Sequence, residues 1–367
     1  MKHKNRPDRL LFVIVVILLM VGFFIFTSAA FGLLARSGAG FQFVILKQLI
    51  IGVVMGTVAL FAISKMPYKY WQKWALPLFL CSVLVSAILF IPGVGFSSGG
   101  AMRWIAVGPI TFQPSEFLKL GTVLALAWWY SRYQDRAHTF QYGLLPFCGV
   151  LAIATLLVLT QPDTGTFLVI FASSIGIFAI AGASWKHIGV LLSAAILGVV
   201  LLASFRPYVR ERLLTFMDPG RDQLGASYQL RQSILAIGSG GVVGRGFGQS
   251  VQKFNYLPEA IGDSIFAVAA EEFGFVGSSL LILLFLGFGL RGMKIAADAP
   301  NSFGRLTVAG IVILITGQSF INIGAMLGII PLTGVPLLFV SHGGTALVFT
   351  LVEVGIILNV SRHRVTT

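Results

Sequence analysis

Residues 10–33 read LLFVIVVILLMVGFFIFTSAAFGL, twenty-four positions without a charge. At about 1.5 Å per residue, a helix of this length crosses the ~30 Å hydrocarbon layer of a bilayer. The run exceeds the roughly 7–15 residues of a secretory h-region, and no clear cleavage site with a soluble domain follows it. It is expected to be the first membrane helix. Working outward, comparable stretches recur near 43–64, 74–92, 115–131, 144–160, 166–183, 187–205, 264–290, 306–327 and 337–360. Hydrophobic residues make up 56% of the chain and charged residues 11%, against roughly 25% charged in soluble domains. The expectation is an all-α integral membrane protein, a polytopic bundle of about ten transmembrane helices forming one domain over 1–367.

An even number of spans puts both termini on one side. That side collects Lys2, Lys4, Arg6, Arg9, Lys65, Lys69, Lys73, Arg132, Arg136, Lys186, Arg291, Lys294, Arg305, Arg362 and Arg364. The opposite short loops and helix ends hold Arg36, Lys47, Arg103 and Lys119. The Lys/Arg bias therefore predicts cytoplasmic termini. The net charge of +13 lies in loops between spans, so membrane phosphates, not nucleic acid, are the expected counterparts. Cys81 and Cys148 fall inside apolar spans without a motif and read as small packing residues.

One long loop, residues 206–262, is placed outside. Loops of this length in compact proteins are usually functional. Its beginning, from Arg206 to Phe216, mixes bases with apolar residues as a short amphipathic surface helix does.

The chemistry-bearing residues sort to the same outer face. Gln113-Pro114-Ser115-Glu116 opens one helix, with Pro114 and Glu116 suited to a first turn. Lys119 lies about one turn deeper, where a charge needs a partner or a wet cavity, and Glu116 is the nearest partner in sequence. Gln161-Pro162-Asp163 repeats the pattern; Asp163 serves as a dipole partner there or pairs with Arg103 or Lys119. Asp263 opens another helix, as an N-cap or as a site residue. Glu271 and Glu272 lie deeper on that helix and Glu259 stands at its mouth, so the helix reads as the wall of a polar cavity.

The run Gly238–Gly248 lacks a Gly-Lys-Ser/Thr ending and a preceding strand, which excludes a nucleotide loop. Its exposed N–H groups beside Arg245 leave phosphate contact open. Ser341 and His342 sit at the last outer link. The five histidines show no zinc spacing, and no metal site is read. Carboxylates beside cations suit general-base chemistry on a phosphate-bearing substrate. A transporter is the competing class, and it would place polar groups at several membrane depths.

Several motifs in order carry a family resemblance across nearly the whole chain. They are Ala101-Met-Arg-Trp-Ile105, Gln113-Pro-Ser-Glu-Phe-Leu-Lys119, Gln161-Pro-Asp-Thr-Gly-Thr166, Tyr228-Gln-Leu-Arg-Gln-Ser-Ile-Leu-Ala-Ile-Gly-Ser-Gly-Gly241, Gly246 through Glu259, Asp263-Ser-Ile-Phe-Ala267, Glu271-Glu-Phe-Gly274 and Ser341-His-Gly-Gly344. The chain resembles the SEDS family of FtsW, RodA and SpoVE proteins, with wording at 249–259 most like the FtsW branch.

The resemblance implies ten spans and a peptidoglycan glycosyltransferase that polymerises lipid II at the outer face of the cytoplasmic membrane, in division or elongation. It also implies a class B penicillin-binding protein as partner, with other divisome or elongasome membrane proteins. The family's essential aspartate maps onto Asp263, the expected base. Substrate contacts are expected from Arg103, Lys119, Glu116, Gln113, Ser115, Asp163, Arg245, Glu259, Ser341 and His342. No cofactor is required by the sequence; Mg²⁺ or Mn²⁺ on the pyrophosphate would suit the chemistry, without a dedicated cage. Two departures stand out. The family's His-Thr-Asp-Phe is here Ile261-Gly262-Asp263-Ser264, and its Ser-Tyr-Gly-Gly-Ser-Ser is Ser341-His342-Gly343-Gly344-Thr345-Ala346. A lipid II flippase and a non-catalytic scaffold for the penicillin-binding protein are the alternatives.

Overall fold

The computed structural model describes residues 6–34, 40–98, 101–108, 110–218 and 226–364. Lys2, Lys4 and Arg36, used above for orientation, lie outside the described residues, as do positions 219–225 of the outer loop.

The membrane helices fall close to the predicted positions. They are α1 (Arg9–Ala30), α2 (Gly40–Lys65), α3 (Tyr68–Ala87), α4 (Pro114–Arg132), α5 (Phe140–Thr160), α6 (Thr164–Ile180) and α7 (Trp185–Phe205). After the outer loop come α10 (Ile265–Ala297), α11 (Ser302–Met326) and α12 (Gly344–Arg362). Among the described residues, eight of these stretches are long and apolar enough to cross a membrane on length and hydropathy alone. The others, α4 and α6, fall short because α4 carries Glu116 and Lys119 and α6 has 17 residues.

Two helices form the centre of the bundle. In their most apolar windows, α11 and α12 bury 72% of positions against protein, whereas α7 buries 11%; α7 is left for lipid to cover. Small residues set the approach of α2 to α12, as in other membrane bundles. A Cβ on Gly56 would come 2.6 Å from Leu351 Cδ1, and one on Gly355 would come 2.9 Å from the Leu60 carbonyl oxygen. Cys81 and Cys148 are exposed on the bundle's outer surface, so they do not pack as expected.

Three segments depart from the sequence reading. The link after α3 is a three-stranded antiparallel meander, β1 (Gly95–Ser98), β2 (Ala101–Val107) and β3 (Ile110–Phe112), with Ile105 paired to both Gly95 and Phe112. Strands this short carry too few residues for their alternation to stand out. The long loop at 206–262, expected outside, contains two helices, α8 (Pro207–Met217) and α9 (Ala226–Ser239); the first is the expected amphipathic helix. The last span begins at Gly344, not near 337, because residues 331–343 are irregular or turn.

The glycine-rich run has a structural function. Gly274 breaks α10 with φ 63° and ψ −162°, a conformation that favours glycine. A helix break frees backbone groups that must be paired within a membrane. The run supplies them. Arg245 N–H donates to the Glu271 carbonyl at 3.0 Å and Gly246 N–H to that of Glu272 at 2.9 Å, while Phe275 N–H donates to the Gly241 carbonyl at 2.9 Å. A Cβ on Gly274 would come 2.3 Å from the Gly244 nitrogen.

At the far end of α10, Asp8 ties three segments together. Its Oδ2 lies 2.6 Å from Arg291 Nη2 and 2.7 Å from Arg364 Nη2, and its N–H donates to Ser361 Oγ at 2.9 Å. Both ends of the described chain therefore meet on one face, and Asp263, at the start of α10, lies on the other.

Candidate active site

Asp263 stands just before α10, whose N-cap is Ser264, so its carboxylate is not used in capping. Among the described residues that carboxylate makes no hydrogen bond and no ion pair within 4.0 Å. Its backbone is fixed tightly. Asn322 Nδ2 donates to the Asp263 carbonyl and to the Val335 carbonyl, both at 2.8 Å. Ser341 Oγ donates to the Gly262 carbonyl at 2.8 Å, and His342 N–H to that of Ile261 at 2.7 Å. The preceding turn closes on Glu259, at φ +48°, whose carbonyl accepts from Gly262 N–H at 2.9 Å and Ser264 N–H at 3.1 Å.

Electrostatics prime this carboxyl as a proton acceptor. Burial pushes it up to about 6, the Glu259 charge adds to the rise, and Arg212 and Arg103 oppose it, with a smaller increment from Asp163. A carboxyl near 6 is ionised at neutral pH and basic enough to take a proton.

Arg212 is the residue that sequence reading missed. It lies one turn from Tyr208 on α8 and its guanidinium sits 4.3 Å over that ring. Nη1 donates to the Leu332 carbonyl at 2.9 Å. A Cβ on Gly334 would lie 3.2 Å from Arg212 Nη2 and 3.4 Å from Asp263 Oδ2, so both side chains converge on one glycine. The available signal was the spacing of Tyr208, Arg212 and Thr215, which falls on one helical face and turns one base of an otherwise surface helix inward.

Arg103 reaches from β2 to the start of α6. Its Nε donates to the Gln161 carbonyl at 3.3 Å, its Nη2 donates to the Pro162 carbonyl, and Nε lies 3.9 Å from Asp163 Oδ2. Asp163 both caps α6, accepting from Thr166 N–H at 3.1 Å and Thr166 Oγ1 at 2.8 Å, and pairs with Arg103. The two alternatives for Asp163 therefore hold together.

The remaining residues spread over distinct positions. Lys119 is 2% exposed, with Nζ 2.8 Å from Glu116 Oε2, and it donates to Gln318 Oε1 at 2.6 Å. Gln318 Nε2 in turn donates to the Pro336 carbonyl at 3.1 Å. This network lies beneath the segment carrying Gly334 and is closed by protein groups. Gln113 precedes α4 without a side-chain cap bond, and the buried Ser115 hydroxyl has no partner among the described residues. The His342 ring stacks on Phe26 at 5.9 Å, and burial, reinforced by Lys47, lowers its pKa.

Arg245 belongs to a different cluster. Its Nη1 lies 3.5 Å from Glu271 Oε1. Glu271 accepts from Ser250 Oγ at 2.6 Å and Val251 N–H at 3.1 Å; Glu272 accepts from Lys253 Nζ at 2.6 Å and from Ser28 Oγ. These carboxylates hold the 248–253 loop onto α10 and α1, and they do not form the expected wall of a polar cavity. Among the described residues, no three carboxylate, imidazole or thiol groups converge as a metal site requires.

The chain was compared with known proteins. A family model described as "Cell cycle protein", covering FtsW, RodA and SpoVE, matches residues 8–366. Stage V sporulation protein E of Bacillus subtilis (strain 168) is 38% identical over 98% of both chains. A probable peptidoglycan glycosyltransferase FtsW of Geobacter sp. (strain M18) is 34% identical, again over 98% of both. Among solved structures, a chain from work on "Structural coordination of polymerization and crosslinking by a peptidoglycan synthase complex" superposes with a TM-score of 0.81 at 29% identity, over 98% of both chains.

Proposed function

This chain belongs to the FtsW/RodA/SpoVE family, and on that premise we propose that it is a peptidoglycan glycosyltransferase that polymerises lipid II, with Asp263 as its general base. The observation that carries the reading is a carboxylate without a hydrogen-bonded partner among the described residues, raised to about 6, with Arg212 converging on the same glycine. Relatives named as probable peptidoglycan glycosyltransferases, 33–38% identical over nearly full length, support the reaction class.

The step balances as a single displacement. The acceptor sugar hydroxyl gives its proton to Asp263 while its oxygen bonds to the donor's anomeric carbon. The bond from that carbon to the lipid pyrophosphate breaks, and the electron pair leaves with the pyrophosphate. Attack opposite the leaving group inverts the anomeric centre. Arg212 and Arg103 meet the growing negative charge, arginine being suited to bidentate phosphate contact. Lys119 and Glu116 support the floor beneath Gly334. Glu259 keeps Asp263 basic through its charge. Arg212 and Arg103 are the cations the chain itself offers to the leaving-group charge.

The outer face of the bacterial cytoplasmic membrane is the proposed location of this site, with both termini cytoplasmic. A class B penicillin-binding protein is the proposed partner, and the chain acts as one membrane domain. The test is polymerisation of labelled lipid II by the purified protein with its cognate penicillin-binding protein. Glycan product from wild type and none from a folded Asp263→Asn variant supports the reading. Equal product from both removes Asp263 from the chemistry, and no product from either favours the flippase or scaffold.

A further inference from the structure

α2 contains an irregularity that the reaction scheme does not use. Residues Gln48–Met55 wind as a π-helix for eight residues. Such segments are rare, often occur at functional sites, and rotate the side chains that follow them. Gln48 opens the segment and is 3% exposed. A buried amide needs its hydrogen bonds made. Both ends of this one are used on a single target. Gln48 Oε1 accepts from Gly343 N–H at 3.2 Å, and Gln48 Nε2 donates to the Ser341 carbonyl at 3.4 Å. The amide thus spans the backbone on either side of His342.

That backbone is the one that fixes the aspartate. Ser341 Oγ bonds the Gly262 carbonyl and also accepts from Leu337 N–H at 2.8 Å, and His342 N–H bonds the Ile261 carbonyl. A continuous series of hydrogen bonds runs from Gln48 through 341–343 to 261–262, the two residues before Asp263. Space does not explain the choice of side chain. A Cβ on neighbouring Gly52 would lie 3.4 Å from Gln48 Cδ and 3.0 Å from Leu347 Cδ2, and an apolar residue of glutamine's size would fill the same volume.

We infer that Gln48 is a positioning residue for Asp263, its side-chain amide setting the 341–343 backbone that holds the aspartate's loop. The inference rests on the glycosyl-transfer reading for its kinetic consequence, but its structural consequence stands alone. The full-length protein would be purified in detergent as wild type, Gln48→Met, Gln48→Glu, Ser341→Ala and the Gln48→Met/Ser341→Ala double variant. Hydrogen exchange over residues 257–265 and lipid II polymerisation would both be measured.

Gln48→Met is expected to speed exchange at 261–264 while leaving α11 unchanged. Its kcat should fall about ten- to a hundredfold, the scale of a misplaced reacting group, with KM for lipid II within about twofold. Gln48→Glu keeps the acceptor for Gly343 N–H and should fall between wild type and Met. The double variant should lose less than the product of the single losses, because both act on one backbone segment. A Met variant with wild-type kcat and exchange would show that the side chain only fills space, and would overturn the inference. If wild type does not polymerise, the function reading fails and the exchange measurement alone decides this one: faster exchange supports it and unchanged exchange overturns it.

Discussion

Arg212 and Asp263 converge on Gly334: a single methyl added there would lie 3.2 Å from the guanidinium Nη2 and 3.4 Å from the carboxylate Oδ2. One comes from the helix α8 in the 206–262 loop and the other from the mouth of a membrane span, 51 residues apart in sequence. The glycine between them, at φ +72°, leaves the space in which a sugar phosphate would meet a base and a cation together.

Replacing Asp263 by Asn is expected to reduce polymerisation by at least about a hundredfold, the usual scale for loss of a general base. Wild-type activity should rise with pH through an apparent pKa near 6, where the base ionises. Stability should run the other way. A carboxyl raised in the folded state binds protons that the unfolded chain has released, so stability falls as pH rises from about 4 through 6. The Asn variant should therefore be more stable than wild type at pH 7.5, by about 1 kcal/mol after allowance for partial exposure, and so melt at a higher Tm. The gap should close toward pH 4, and thermal unfolding in detergent across that range is the check.

Arg212→Lys keeps a charge but loses the planar fork that bonds the Leu332 carbonyl and stacks on Tyr208. Activity should fall about ten- to a hundredfold. Arg212→Ala removes a cation that holds Asp263 down, so the acid limb of any residual activity should move to higher pH. A pH–rate profile separates the two variants.

Gly334→Ala is predicted to damage activity more than folding. The left-handed backbone costs about 1 kcal/mol for alanine. The methyl must also displace Arg212 or Asp263 by a few tenths of an ångström. A drop in kcat of about tenfold or more with a Tm loss of only a few degrees is expected, measured on the same detergent preparation.

Lys253 and Glu272 are fully buried, 2.6 Å apart. Lys253→Met or Glu272→Met alone leaves a buried group uncompensated and should cost about 3–5 kcal/mol. The Lys253→Met/Glu272→Met double variant should cost less than either single variant. Unfolding midpoints of the three proteins test the order; strictly additive losses would show that the two charges are not coupled.

How much was legible in the sequence follows from the range of the forces involved. Each span declares itself locally, because a helix surrounded by hydrocarbon satisfies its own backbone and needs only a long apolar run. The ten spans, their order and the clustering of Asp163, Glu259 and Asp263 on one face came from that, and the motif order led to the family. The Glu116–Lys119 pair was also readable, since three residues is one helical turn. Arg212 was not, because its role depends on α8 folding back over the segment at 332–334. Gln48 was not, because its partners lie at 341 and 343 across the bundle. The glycine run at 238–248 could be excluded as a nucleotide loop, yet its task, pairing the backbone freed at Gly274, appears only once α10 bends. Sequence alone determined what crosses the membrane and which residues can do chemistry, since both depend on single side chains and their near neighbours. Only the tertiary structure decided which of those residues meet, because long-range packing sets the ångström distances on which charge and hydrogen bonding depend.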